Sequence, residues 1–468
     1  MAFNELGFLF LFFPAALLVC LPVPKAAKNA VLTAVSLIFF AWGSAEYVVL
    51  LLLSIVFNYF SGLQLEALRA DENEKMLKMV IWTSVGINLL LLGFFKYWGF
   101  LLENINAILG TAIPIRPLPM PLGVSFFTFS ALSYLFDVYR GKSPVAKNPV
   151  DFALYISFFP KLVSGPIVTY SVFARQVQKR KMSLAKFSGG CRLFLVGLAK
   201  KMLLSNTIGV TYNALAALDV GSLSVVSAWI GALAYTLMLY FDFSGYSDMA
   251  IGLSRMFGFN FDKNFDYPYA ADSISDFWRR WHISLGAWFR EYVYIPLGGN
   301  RAGMLKTLRN LGIVWLFTGI WHGANWTFII WGLYHGAISM LEKFVLKDIL
   351  KKIPHGVKVL VTFLLVLIGW VFFFSPDLGS AFAWLGKMFG IGAAGFLDGT
   401  AKYYLGSTWL LFVIGLVGSF PTVSTIAAGA CRGKTGTVIT VAWYALLLVL
   451  CIAAMTGSTY SSFLYFQF

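Results

Sequence analysis

Apolar runs about as long as a bilayer is thick recur along this chain, and they decide its fold class before any single residue does. A hydrocarbon core of about 30 Å needs roughly 20 helical residues to cross. Runs near that length stand at 6–23, 79–101, 225–243, 359–374, 404–428 and 437–455. Further stretches, at 30–63, 119–137, 150–173, 187–210 and 310–342, are apolar but interrupted by Gly, Pro, Lys or His. Lipid satisfies no backbone hydrogen bonds, so spans must be helices and every break must be buried in protein or line a cavity. The expectation is an all-α polytopic integral membrane protein with about ten to twelve transmembrane helices, re-entrant and interfacial pieces, and a pathway through the protein. With 59% of residues hydrophobic and 12% charged, the chain lies far from the roughly 25% charged fraction of soluble domains.

The net charge of +15 does not point to nucleic acid. The bases cluster in short connections between spans, which membrane topology alone requires. Met1–Leu9 carries Glu5 and no base, and Lys25 and Lys28 follow the apolar run instead of preceding it. That order reads as a retained first helix with its N-terminus outside the cytoplasm. Arg175, Lys179, Arg180, Lys181 and Lys186 form an acid-free cytoplasmic loop, and Lys343–Lys358 forms another. Counting spans onward from Lys358 places the C-terminus outside as well. Cys20, Cys191, Cys431 and Cys451 are far apart, and the four histidines are dispersed. No disulfide framework and no metal site follow from that spacing.

Between Arg301–Arg309 and Lys343–Lys358, both cytoplasmic by charge, lies an apolar segment at 310–342 with His322 near its middle. A segment that leaves and returns is a hairpin, and Gly323, Ala324 and Asn325 supply its turn. His322 then sits deep in the membrane, where an ionisable side chain is by default functional. His335, thirteen residues on, reads as a hydrogen-bonded core histidine. His355 lies in a basic loop and carries no signal.

A second dense region runs from 240 to 300. Trp278, Trp281, Ile283, Leu285, Trp288 and Phe289 recur at near-helical spacing with Arg279, Arg280, His282 and Arg290 between them. This predicts a helix lying at the membrane surface. Two readings of it stand side by side: an aromatic belt with snorkelling arginines, or a cationic mouth for a phosphorylated donor, since guanidinium forks fit phosphate oxygens. Asp242 and Asp248 end an apolar run and need partners; pairing with arginine is expected.

Five blocks in order, Ser157–Ile167, Phe241–Asp248, Trp278–Ser284, Tyr294–Arg301 and Trp321–Asn325, resemble the membrane-bound O-acyltransferase family. The likeness is to its bacterial polysaccharide branch, which includes the alginate and peptidoglycan O-acetyltransferases. It covers nearly the whole chain as a single membrane domain over 1–468, densest at 150–342, with an extracytoplasmic aromatic tail at 456–468. The resemblance implies helices around a central tunnel, with His322 catalytic and His282 and Asn325 supporting. Donor binding falls to Trp278, Arg279, Arg280 and Trp281. It further implies acetyl-CoA as donor substrate with no bound cofactor, and residence in the bacterial cytoplasmic membrane. A separate extracytoplasmic SGNH or serine-hydrolase-like partner would then acetylate the polysaccharide. Membrane lipids are the other expected partners. Physical chemistry agrees on His322, because transfer from a thioester to a hydroxyl needs a base, and an imidazole of ordinary pKa near 6.5 serves at neutral pH. The tail Ser461–Phe468 resembles aromatic tails of relatives in which a tyrosine is proposed to carry the acyl group. That position here is Tyr465, which suits covalent carriage and interfacial anchoring alike. The rival readings are D-alanyl transfer from a carrier-protein thioester, a polymer or lipid-linked sugar transporter, and a non-catalytic secretion scaffold.

Overall fold

The computed structural model describes residues 2–116, 118–301, 303–422, 425 and 433–457, and every regular element among them is helical. Seven helices are long and apolar enough to cross a membrane by length and composition, from Lys28–Ala70 to Gly436–Gly457. Shorter apolar helices stand at Phe8–Cys20 and Val124–Tyr139, whereas the interrupted stretches 30–63 and 187–210 fall within the long helical segments Lys28–Ala70 and Leu184–Ala216. The aromatic tail from 458, with Tyr465, lies outside the described residues. The remainder groups into two compact units, each assembled from discontinuous segments.

The first unit takes the chain up to Phe194 and Met249–Asp262. Its helices are α1 (Phe8–Cys20), α2 (Lys28–Ser44), α3 (Val48–Ala70), α4 (Glu74–Leu109), α5 (Val124–Tyr139), α6 (Pro149–Ser157), α7 (Phe159–Leu162) and α8 (Tyr170–Val177). Local chemistry sets their ends. Asn73 accepts from the Met76 amide at 3.2 Å to start α4, and Gly110, at φ 64, stops it in the left-handed conformation. Asn148 caps α6, with Pro149 at its first position. Within the bilayer-length helices α3 and α4, Asn58 and Asn88 exchange amide hydrogen bonds at 3.1 and 2.8 Å. Such reciprocal pairing joins two helices where lipid offers no polar alternative. Phe3, Phe8, Phe12, Phe39 and Phe159 form an aromatic core. The Ser157–Ile167 block is buried here, and Lys161 donates to Ser130 Oγ at 2.9 Å with its ammonium 4.4 Å from the Tyr155 ring centroid.

The second unit takes Leu195–Asp248 and the chain from Lys263. Helix α9 (Leu184–Ala199) passes through a π-helical stretch, Lys200–Ser205, into α10 (Asn206–Ala216), and α11 (Val225–Met256) follows. The π stretch aims two lysines at α11. Lys201 meets Asp242 at 2.5 Å in full burial, and Lys200 meets Asp248 at 2.7 Å. The expected arginine partners are therefore lysines, supplied by a run whose apolar neighbours conceal them in sequence. The expected surface helix is also two pieces, α12 (Ile274–Arg280) and α13 (Ile283–Phe289). His282 breaks it by adopting φ 45, a left-handed conformation, while Asn264 binds the Ile283 amide through its carbonyl at 2.9 Å and the Ser284 amide through Oδ1 at 3.0 Å.

Next come α14 (Met304–His322) and α15 (Trp326–Phe344), the hairpin that charge and hydropathy predict. Its legs approach closely because glycine faces backbone. A Cβ on Gly319 would lie 2.6 Å from the Phe328 carbonyl oxygen, and one on Gly332 would lie 2.6 Å from that of Trp315. Helices α16 (Lys347–Leu350), α17 (His355–Phe374), α18 (Leu378–Met388), α19 (Gly399–Gly418) and α20 (Gly433–Gly457) complete the unit.

Candidate active site around His322

His322 is the last residue of α14, immediately before the turn Gly323–Ala324–Asn325, and is 1% exposed. Its Nδ1 lies 2.7 Å from the Thr318 carbonyl oxygen, one helical turn back. A carbonyl only accepts, so Nδ1 carries the proton, and the lone pair of the neutral ring is on Nε2. The surrounding walls are aromatic. Ring centroids of Trp331, Trp321 and Phe373 stand 4.6, 4.8 and 5.5 Å from that of the imidazole. A base of fixed tautomer in such a low-dielectric setting suits proton abstraction from a hydroxyl.

Asn325 holds the turn. Its Oδ1 accepts from the Thr327 amide at 3.0 Å, capping α15, and its Nδ2 donates to the Pro376 carbonyl at 2.6 Å. His282, 1% exposed, shares one of those walls: its ring centroid is 5.9 Å from that of Trp321, and 4.7 Å from that of Phe243. Both His282 and His322 thus pack on Trp321, although forty residues separate them in sequence. The backbone break that positions His282 was not legible beforehand, nor was the role of Asn264. Its only sequence signal is an asparagine among the aromatics of Phe261–Tyr269.

The four residues assigned to donor binding divide by side chain. Trp278 and Trp281 turn inward: Trp278 packs on Trp315 and Trp331, and Trp281 on Trp370, at 5.0 to 5.4 Å between ring centroids. Arg280 pairs with Asp276 at 2.7 Å, while Arg279 is largely exposed and reaches the same carboxylate at 3.8 Å. Glu342, not singled out in sequence, anchors the start of α12 by accepting from the Ile274 and Ser275 amides at 2.7 and 3.1 Å.

His335 departs from expectation. It is fully buried against Trp278, Trp331 and Tyr334, at 5.3, 5.4 and 5.2 Å between centroids. Neither ring nitrogen has a hydrogen-bond partner among the described residues. Trp278, Trp331 and Tyr334 meet it in T-shaped ring contacts, and Nε2 is close to Gly369, which has no side chain to offer.

Regular structure that is all helical among the described residues, with a buried histidine at a hairpin turn, agrees with what comparison with known proteins shows. The model of the family described as "MBOAT, membrane-bound O-acyltransferase family" matches residues 47–374. A Pseudomonas putida protein named "Probable alginate O-acetylase AlgI" is 39% identical over the full length of both chains. A Helicobacter pylori "Peptidoglycan O-acetyltransferase" is 37% identical over 83% of this chain and 80% of its own. A Bacillus subtilis "Teichoic acid D-alanyltransferase" is 31% identical over 48% of this chain and 59% of its own. With a family model covering His282, His322 and the helices that hold them, and with full-length similarity alongside, the chain belongs to the membrane-bound O-acyltransferase family.

Proposed function

We propose that this enzyme accepts acetyl from cytoplasmic acetyl-CoA and passes it across a bacterial cytoplasmic membrane for O-acetylation of an extracytoplasmic polysaccharide. A separate SGNH or serine-hydrolase-like protein completes the transfer. Support for acetyl comes from relatives named as alginate and peptidoglycan O-acetylating enzymes over most or all of the chain, against a D-alanyltransferase likeness confined to half of it. Membership in an acyltransferase family sets aside the transporter and scaffold readings.

The observation that carries the mechanism is the fixed tautomer of buried His322. As the acceptor oxygen bonds to the thioester carbonyl carbon, its proton passes to Nε2. Collapse of the tetrahedral adduct breaks the C–S bond, and the departing thiolate recovers that proton from the imidazolium. Trp331 and Phe373 exclude water that would otherwise hydrolyse the thioester. His282 and Asn325 act by position, the first on the shared Trp321 wall and the second through the cap that holds the turn. Trp278, Arg279, Arg280 and Trp281 serve the donor side, with Arg279 the most accessible charge for a CoA phosphate. Tyr465 takes the acyl group as a phenol ester and surrenders it to the partner.

The test is thioester consumption from acetyl-CoA by the protein in lipid nanodiscs, with acetyl transfer to polymer read when the partner is added. His322→Ala is expected to lose about 10²- to 10⁴-fold in turnover, the usual worth of general-base catalysis, while eluting as wild type in size exclusion. Equal turnover overturns His322 as the base. Tyr465→Phe, which keeps the ring but removes the acceptor hydroxyl, is expected to lose both thioester consumption and delivery of acetyl to polymer; intact delivery overturns the covalent role. Turnover only with a carrier-protein thioester would establish the D-alanyl reading instead.

A further inference from the structure

Four cations line one pocket in the first unit, in excess over the single carboxylate beside it, Asp151. The pocket, of about 290 Å³, lies between the segment that follows α1 and the loop after α8, with Lys25, Lys28, Arg180 and Lys181 on its walls. Among the described residues, no carboxylate stands within ion-pair distance of any of the four. Among the described residues Lys28 Nζ has only the Met182 thioether, at 3.8 Å. Arg180 is held in place by donating to the Val177 and Phe257 carbonyls at 2.6 and 3.2 Å, with its guanidinium 4.4 Å from the Phe259 ring centroid. Two donors are thereby committed, and among the described residues the rest of the fork's five N–H groups have no acceptor. The nearby Asp151 carboxylate accepts from Asn29 and Gln178 and interacts electrostatically with Arg180, so it offsets one of the four positive charges and leaves the pocket cationic.

We propose that this pocket binds the phosphate of an anionic phospholipid headgroup. Three lysines around a fixed guanidinium, in excess over one carboxylate, are the donor set that phosphate oxygens require. The approach to the pocket selects a lipid as the bearer of that phosphate. Leu18, Val19 and Leu21, a few residues before Lys25 in sequence, are exposed by 74%, 52% and 48%, an apolar surface for acyl chains on the segment that carries the first of the cations. No aromatic side chain lines the pocket, so a nucleotide's base has nothing to stack on. Lipid bound here clamps the first helix against the basic loop 175–186.

The experiment is native mass spectrometry of the full chain in detergent with added phosphatidylglycerol, phosphatidylcholine or the soluble probe 3′,5′-ADP. Wild type is expected to retain phosphatidylglycerol over phosphatidylcholine. The triple variant Lys25→Ser, Lys28→Ser, Lys181→Ser is expected to weaken phosphatidylglycerol retention by about tenfold or more. Lys28→Arg with Lys181→Arg is expected to preserve it, which separates charge from folding. Equal retention by the triple variant overturns the site. So does an equal loss in Lys347→Ser, Lys351→Ser, Lys352→Ser, which removes the same charge elsewhere. Displacement of the lipid by 3′,5′-ADP at matched concentration overturns the lipid assignment in favour of a soluble phosphate ligand.

Discussion

At the scale of single residues, the spacing of histidines and aromatics identifies His322 without a structure, because an imidazole in an apolar stretch has no packing advantage over leucine. Its working atom was not legible. That depends on Thr318 being one turn back, with its carbonyl 2.7 Å from Nδ1. Charged residues show the same division. Asp242 announces itself at the end of an apolar run, yet its partner Lys201, 41 positions away, is identifiable only once the π stretch turns the ammonium inward to 2.5 Å. Asp242→Asn removes the carboxylate and leaves the ammonium buried. It is expected to destabilise the protein by about 3 kcal/mol or more, read as a lowered unfolding midpoint in detergent. Asp242→Leu with Lys201→Met, which removes both charges, is expected to cost less, because neither ion is then left uncompensated.

At the scale of elements, charge on both flanks predicts the hairpin of α14 and α15, and glycine permits it. Gly319→Val inserts atoms where a Cβ alone would already lie 2.6 Å from the Phe328 carbonyl. The legs must then part, carrying His322 away from Trp331. The expected result is loss of turnover together with early aggregation in size exclusion, with Gly319→Ala milder but in the same direction. The break between α12 and α13 had no such signal, since periodicity sees side chains and not the left-handed turn at His282. A further link ties the loop before α12 to the start of α17. Asp272 accepts from Lys358 at 2.6 Å, with His355 at 3.7 Å. The Lys358 hydrogen bond, opposed by partial burial, holds the Asp272 carboxyl below its usual range. A depressed folded pKa means that this stabilisation is full above the unfolded value of about 4 and is lost as pH falls through the lower folded value. Unfolding midpoints should therefore fall more steeply with acid below about pH 4 in wild type than in Asp272→Asn; parallel slopes would refute the link.

At the scale of the whole molecule, the distribution of Lys and Arg sets a topology that a labelling experiment reads directly. In a background without natural cysteines, Lys179→Cys lies in the acid-free loop 175–186 and is exposed. A membrane-impermeant maleimide is expected to label it in inverted vesicles and not in intact cells; labelling in intact cells would reverse the orientation of the relay. Sequence alone determined that the chain is helical and membrane-embedded, which charges mark connections, and which histidine lies at a turn, because hydropathy and charge act locally and need no partner. Tertiary structure decided the two discontinuous units, the lysines opposite Asp242 and Asp248, the convergence of His282 and His322 on Trp321, and the proton on Nδ1. Each of those depends on residues that are distant in sequence, or on a backbone carbonyl that carries no letter, and only packing brings such groups within the few ångströms over which hydrogen bonds and ion pairs act.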